Sequence, residues 1–204
     1  MSEILFPELH NTVQELQSSF SLIPEARIDR LNRFAQYLGN HRGKSIHLNF
    51  ICTHNSRRSH LGMIWAAVAA AVYGVEGVCT YSGGTEATAF NPRAVTALRS
   101  VGFRIPPAAG DNPTYRVSFS ADHQPLVCFS KVYDHPDNPD RDFAAIMTCA
   151  EADDNCPFIP GASFRLPLTY EDPKVADGTA EEASKYLERT RQIGREILYV
   201  FSRL

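Results

Sequence analysis

Cys52-Thr53-His54-Asn55-Ser56-Arg57-Arg58-Ser59 follows a β-rich run, Ser45 to Ile51, and precedes a long apolar helical stretch that begins near Leu61. Between a strand end and a helix N-terminus, several backbone N–H groups can converge on one anion, and the helix dipole adds positive potential there. The same field favours the ionised form of a cysteine in that position. Arg58, six residues after Cys52, is spaced to fold its guanidinium back over two oxygens of an oxyanion, a bidentate role that lysine fills poorly. Ser59 can donate its hydroxyl hydrogen to the thiolate. The chemistry this loop offers is a tetrahedral oxyanion held against a nucleophilic sulfur, with residues 53 to 59 as the binding loop. The competing reading is a buried cysteine near a turn with two surface arginines. The strand before, Ser59 after and the helix beyond weigh against it.

Two further segments carry reactive groups. Thr148-Cys149-Ala150-Glu151-Ala152-Asp153-Asp154-Asn155-Cys156-Pro157 places two cysteines seven residues apart in a polar, acidic stretch that starts at a strand end. They could form a disulfide if the stretch bends or partly unwinds. A structural zinc site would want two more cysteines or histidines at close spacing, and His123 and His135 offer no such pattern. An inert pair and a thiol relay both stay open, the relay gaining because Cys52 already has a reason to be nucleophilic. Glu171-Asp172-Pro173 lies just ahead of the last helix, where a carboxyl group could overhang the anion site and protonate a leaving oxygen. The proline restricts the backbone of Asp172, although an Asp-Pro pair before a helix is also a common turn.

The elements that must position these groups alternate. Ile46, Leu48 and Phe50 read as a strand, the thiol loop intervenes, and Leu61 to Tyr73 reads as a helix packed on a sheet. Gly77 to Ser82 is a second strand closed by Gly83-Gly84, and Asn91-Pro92 is an N-cap with proline at the first helical position, opening a helix that ends near Gly102. Strand, helix, strand, helix implies a parallel sheet with helical cover. Tyr115 to Ser120 and Pro125 to Ser130 flank a short polar turn and suggest a hairpin or two short strands. Asp134 to Asp142, with two prolines and four aspartates, reads as a surface loop. Phe143 to Thr148 returns to strand character and delivers Cys149. Thr179 with Glu182 forms a capping-box pattern for a last helix running to about Phe201, with Tyr186, Thr190, Ile193, Ile197 and Val200 on one face. Residues 1–43 differ in character: Ile28, Leu31, Ala35 and Leu38 recur at one-face spacing between Pro24 and Gly39, which reads as an added helical arm ahead of a domain over residues 44–204. Cys79 and Cys128 fall on strands and read as packing residues.

Composition sets the outer bounds. A chain of 204 residues can bury a substantial core, and its net charge of −3 does not suggest a nucleic-acid binder. There is no signal-peptide pattern and no apolar run long enough to span a bilayer, so a soluble cytoplasmic protein without a membrane partner is expected. Five cysteines argue for reactive or buried thiols over a secreted disulfide framework.

With these segments in place, the chain from Ile46 onward resembles the low-molecular-weight protein tyrosine phosphatase superfamily, and within it the thioredoxin-coupled arsenate reductases. Cys52-Thr53-x-Asn55-Ser56-x-Arg58-Ser59 is similar to the anion loop. Tyr81-Ser82-x-Gly84-x-Glu86-Ala87 and Asn91-Pro92-x-Ala94-Val95 are similar to the segments that follow it. Cys149 to Pro157 resembles the paired redox cysteines of the reductases, and Glu171-Asp172-Pro173 with Thr179 and Glu182 the acid loop and last helix. The anion loop is shared across the superfamily, whereas the cysteine pair separates reductases from phosphatases.

The resemblance implies an α/β fold with a four-stranded parallel sheet, helices on both faces, and the anion loop at the C-terminal edge of the first strand. It implies that Cys52 attacks arsenic while Arg58 and the loop hold the remaining oxygens and Asp172 protonates the leaving water. Cys149 then attacks Cys52 and releases arsenite, and Cys156 takes over the disulfide for reduction by thioredoxin. The implied ligand is arsenate, phosphate or a phosphoester, and no cofactor is called for. The chain departs from the family at His54, where glycine is usual, and at Arg57, where many reductases carry another cysteine. Met63 stands where some carry a glutamate that helps bind potassium, so that ion is not carried over, and no metal-ligating residues are assigned. An insertion between about Gly110 and Asp142 has no counterpart. Besides thioredoxin-linked arsenate reduction, Cys52, Arg58 and Asp172 would suffice for a phosphatase, and a non-enzymatic oxyanion or redox sensor is the third alternative.

Overall fold

The computed structural model describes residues 4–204, so the first three positions of the expected helical arm lie outside the described residues. Two helices come first, α1 (Pro7–Ser18) and α2 (Glu25–Asn40), joined by a 3-10 turn at Phe20–Leu22. Prolines sit at the first position of α1 and just ahead of α2, where a missing N–H costs nothing. Then follow β1 (Ile46–Cys52), α3 (Arg58–Val72), β2 (Val78–Gly84), α4 (Pro92–Ser100), β3 (Tyr115–Val117), β4 (Leu126–Cys128), β5 (Phe143–Met147), α5 (Ala150–Asn155), β6 (Ala162–Pro167) and α6 (Glu182–Phe201).

The main sheet has four strands in the order β2-β1-β5-β6, and all three pairings are parallel. Its central strands β1 and β5 are buried on both faces and read as nearly continuous apolar runs, as parallel strands do. Alternation divides their side chains between two cores. Ile46, Leu48, Phe50, Ala144 and Ile146 join the larger core with α1, α2, α3, α4 and α6. Ile51, Cys52, Phe143, Ala145 and Met147 face the other way, into a smaller cluster with Cys149, Ala152 and Ile159 under α5. Helices thus lie on both faces, unequally. The three thiols of interest all belong to or border the smaller cluster.

Most expected elements appear with shifts of a residue or two, and β3 with β4 forms the expected antiparallel hairpin. Three details differ. β6 was not anticipated: it is an edge strand with only Leu166 buried, so its apolar alternation is weak. Cys79 is exposed, because β2 is the opposite edge and its first half is poorly covered, whereas Cys128 is fully buried as expected. The capping pattern before α6 is also shifted by one: Glu182 accepts from the Gly178 N–H at 2.7 Å, and the Thr179 hydroxyl accepts from the Glu181 N–H at 3.2 Å.

The arm is packed into the molecule. Leu9 and Leu16 of α1 and Leu31, Phe34 and Leu38 of α2 are fully buried in the larger core. Gly102 approaches α1 so closely that a β-carbon there would stand 2.3 Å from the Leu9 nitrogen. Its φ of 105° is a second reason for glycine at that turn.

Candidate active site

The loop after β1 is shaped by what grips its outside. The Cys52 carbonyl accepts from Thr85 N–H, Thr53 from Glu86 N–H, Ser56 from Asn91 N–H and Arg57 from Leu61 N–H, at 2.8–3.1 Å. The His54 carbonyl accepts from the hydroxyls of Thr88 and Ser130. With its carbonyls engaged outward, the loop turns N–H groups toward its own centre, at the N-terminus of α3. Gly84 permits this closure: a β-carbon there would meet the Glu86 oxygen at 2.3 Å and the Asn55 nitrogen at 2.6 Å. Asn55 takes the left-handed turn at φ 43°, a conformation that asparagine tolerates better than most residues.

Side chains inside the loop assign their own hydrogens. Asn55 Oδ1 accepts from the Lys131 N–H at 2.9 Å, so its Nδ2 faces and donates to Ser59 Oγ at 2.8 Å. Ser59, already accepting there, is free to donate to Cys52 Sγ at 3.1 Å. Cys52, Asn55 and Ser59 are buried. Behind them His60 is fully buried, stacked on Phe90 at 4.0 Å and paired with Ser82 Oγ at 3.2 Å, and burial pushes its pKa down to about 3. Nearby, burial pulls Lys131 down and pushes Cys128 up to about 12, so neither Cys128 nor His60 is a titrating partner for Cys52 near neutrality.

The two arginines of the loop do different things. Arg58 donates to the Tyr170 carbonyl at 3.0 Å and to Asp172 Oδ2 at 2.7 Å, so the acid segment overhangs the loop as expected. Arg57 turns away to Tyr186 on α6, donating to its hydroxyl at 2.8 Å, with Asp172 at 3.7 Å and Asp177 at 3.9 Å. Its guanidinium therefore braces the acid segment instead of lining the centre of the loop. His54 is half-exposed at the rim, 3.7 Å from Glu86. Asp172 itself caps the 3-10 turn Pro173–Ala176 by accepting from Lys174 N–H at 3.0 Å, which fixes its direction.

Cys149 is brought to the same place. It is buried, caps α5 by accepting from Ala152 N–H at 3.4 Å, and its Sγ lies 3.3 Å from the hydroxyl of Thr53, the residue after Cys52. Thr53 also donates to Glu151 at 3.0 Å. Cys156 terminates α5, is partly exposed, and packs on the edge of the same apolar cluster. Arg165 of β6 clamps that end of the helix through the carbonyls of Asp153 and Cys156 and the carboxylate of Asp153. Glu151, Arg165, Lys131 and Asp177 were not assigned a place in the site from sequence, and Tyr186 was read only as a face position of the last helix. Glu151, Lys131 and Tyr186 meet the loop across 98, 76 and 129 positions, and no local pattern marks them.

A parallel sheet ending in an oxyanion loop with an overhanging carboxylate defines a class, and its fold is that of the low-molecular-weight phosphotyrosine phosphatases. The enzyme of that name from Vibrio cholerae superposes with a TM-score of 0.51 at 15% identity, covering 78% of this chain and 96% of that one. The low-molecular-weight protein tyrosine phosphatase of T. tengcongensis gives 0.50 at 18% identity, covering 78% and 100%. No family model matches the chain. In sequence it is 30% identical to the arsenate reductase of Bacillus subtilis over 149 residues, covering 72% of this chain and 89% of that protein. The arsenate reductase of Bacillus licheniformis is 32% identical over the same shares. The chain belongs to the arsenate reductase family.

Proposed function

We propose that this protein is a cytoplasmic arsenate reductase that works through Cys52, Cys149 and Cys156 with thioredoxin as reductant. Residues 44–204 are the reductase domain and residues 1–43 a helical extension of it. The observation that carries this reading is the second thiol: Cys149 Sγ lies 3.3 Å from the side chain adjoining Cys52, in one buried cluster with it. A phosphoester hydrolase has no use for a cysteine there.

Arsenate occupies the loop, its oxygens taken by the N–H groups and by Arg58. Cys52 attacks arsenic, an S–As bond forms, and one oxygen leaves as water with a proton from Asp172. Cys149 attacks Cys52 Sγ, an S–S bond forms, the S–As bond breaks with its electron pair left on arsenic, and arsenite departs. The Ser59 hydrogen bond to Cys52 helps it leave when Cys156 attacks Cys149. Reduction of the Cys149–Cys156 disulfide by a thioredoxin dithiol returns the enzyme to its starting state.

The last transfer demands movement. Cys149 and Cys156 flank α5, and at about 1.5 Å of rise per residue their α-carbons stand about 10 Å apart, against roughly 4–7 Å in a disulfide. The helix has to unwind, and it is six residues long, with three acidic residues, Glu151, Asp153 and Asp154, and a polar Asn155 that are easily solvated. Phosphoester hydrolysis is the second reading, favoured by the Arg58–Asp172 pair at 2.7 Å, which a phosphoester would use as readily. The deciding experiment is arsenite production with thioredoxin and its reductase, alongside hydrolysis of p-nitrophenyl phosphate. Reduction that is lost in Cys156→Ser while hydrolysis is spared supports the reductase; equal loss of both refutes the relay.

A further inference from the structure

Arg27 belongs to α2, in the part of the chain that the family resemblance does not cover, yet its guanidinium ends beside the acid segment. Its Nε and Nη2 donate to the two carboxylate oxygens of Glu196 on α6, each at 2.7 Å. Its Nη1 donates to the carbonyl of Thr169 at 3.1 Å, and its plane lies 4.8 Å from the ring centre of Tyr170. Glu196 is almost completely buried and needs a cation, so a bland account of Arg27 is charge neutralisation. That account covers two of its contacts. The other two are made to the residues that lead into Asp172.

Thr169 and Tyr170 lie in the short link between β6 and Asp172. Leu168 and Tyr170 N–H groups donate to the carbonyls of Met147 and Thr148, which tie this stretch to the end of β5, just ahead of Cys149. The Tyr170 carbonyl in turn accepts from Arg58, which also holds Asp172. A continuous set of direct contacts therefore runs from the arm to the anion loop: Arg27, Tyr170, Arg58, Asp172. Only a planar fork with several donors can hold a carboxylate bidentately, a carbonyl and an aromatic face together; an ammonium cannot.

We propose that Arg27 is a positioning residue for Asp172, so that the N-terminal arm sets the geometry of the acid segment over the anion loop. The proposal rests on the assignment of Asp172 as the proton donor for the oxygen that leaves arsenic. When arsenate takes Arg58 from Asp172, the carboxyl loses one of its restraints. The segment behind it keeps its place because Arg27 holds Thr169 and Tyr170 from the opposite side.

Arg27→Lys tests this, because it keeps a cation for Glu196 and gives up the Thr169 bond and the ring contact. Arsenite release in a single turnover by rapid quench excludes the thioredoxin steps. Its limiting rate is expected to fall about tenfold to a hundredfold, the scale of a misplaced catalytic group, with little change in half-saturating arsenate. In an Asp172→Asn background the same substitution is expected to produce no further loss, since the group it positions is gone. A rate unchanged by Arg27→Lys, or an equal factor lost in both backgrounds, overturns the proposal. If Arg27→Lys does not fold, Arg27→Met with Glu196→Gln removes the ion pair without stranding a charge and is read in the same way. Amide exchange at Leu168 and Tyr170 is the readout independent of activity and is expected to accelerate in either variant. Should the unsubstituted protein reduce no arsenate, the functional reading fails by itself, and unchanged exchange at these amides would separately refute the positioning role.

Discussion

The anion loop and the thiol helix stand side by side and are built on opposite principles. Around the loop of residues 52–59, carbonyls are gripped from four neighbouring segments, Asn55 is locked between Lys131 and Ser59, and most side chains are buried. Across α5 there is one buried side chain, Ala152, with Glu151 and Asp154 exposed, and two outside side chains hold it, Arg165 at its end and Thr53 at Glu151. On the proposed mechanism the first stabilises a transition state, which rewards donors that need no reorganisation. Under the proposed relay the second has to bring together two cysteines whose α-carbons stand about 10 Å apart, which rewards low local stability. If the proposed relay holds, rigidity is placed where charge develops, and looseness where the disulfide would travel.

Substitutions break this contrast to different degrees. The largest effect is expected from Cys52→Ser, which removes the nucleophile from the rigid side: arsenate reduction and any p-nitrophenyl phosphate hydrolysis are expected to fall by about 10⁴-fold or more. Residual turnover of either substrate near the unsubstituted level would show the nucleophile to be another residue. Cys156→Ser acts only on the α5 side. Continuous turnover with thioredoxin should stop, while one arsenite per protein is still released and mass mapping finds a Cys52–Cys149 disulfide; a protein inactive even for one turnover would mean that the two thiols do not act in sequence.

Two milder changes sharpen the same comparison. Asn55→Ala leaves the Lys131 N–H and the Ser59 hydroxyl without their partner and puts alanine at φ 43°, so stability should drop by about 2–4 kcal/mol in denaturant titration. Arg165→Gln frees the carbonyls of Asp153 and Cys156; a loss of about 1–2 kcal/mol is expected, together with faster oxidation of Cys149 and Cys156 to a disulfide. Slower oxidation in that variant would argue that the clamp assists the transfer.

The remaining prediction concerns pH. His60 has a folded-state pKa of about 3, pushed down by burial from the model-peptide 6.5, so the unfolded chain binds a proton that the folded chain refuses between these values. Stability contributed by neutral His60 is complete above pH 6.5 and is lost on acidification, by up to about 1.4 kcal/mol for each pH unit crossed. His60→Gln should flatten the acid side of a stability-against-pH curve; an unchanged slope would show that other groups govern acid unfolding.

Much of the reactive apparatus was legible because it is local. The spacing of Cys52 and Arg58, the N-cap Asn91-Pro92 and the strand that delivers Cys149 are short-range patterns, and Asn91 caps α4 through Arg93 N–H as expected. β6 escaped because an edge strand with a mostly open face carries weak alternation. Cys79 was misplaced because a sequence shows that a residue lies on a strand without showing which strands end up at the edge.

The sequence by itself determined an oxyanion loop with a thiol inside it, a second and third thiol on a polar segment, and a carboxyl ahead of the last helix. Only the tertiary structure decided which groups restrain them. Arg27 meets Glu196 across 169 positions, Thr53 meets Cys149 across 96, and Asn55 meets Lys131 across 76. Contacts of that kind leave no periodicity behind, because they are set by how the sheet orders its strands and not by the geometry of any one element.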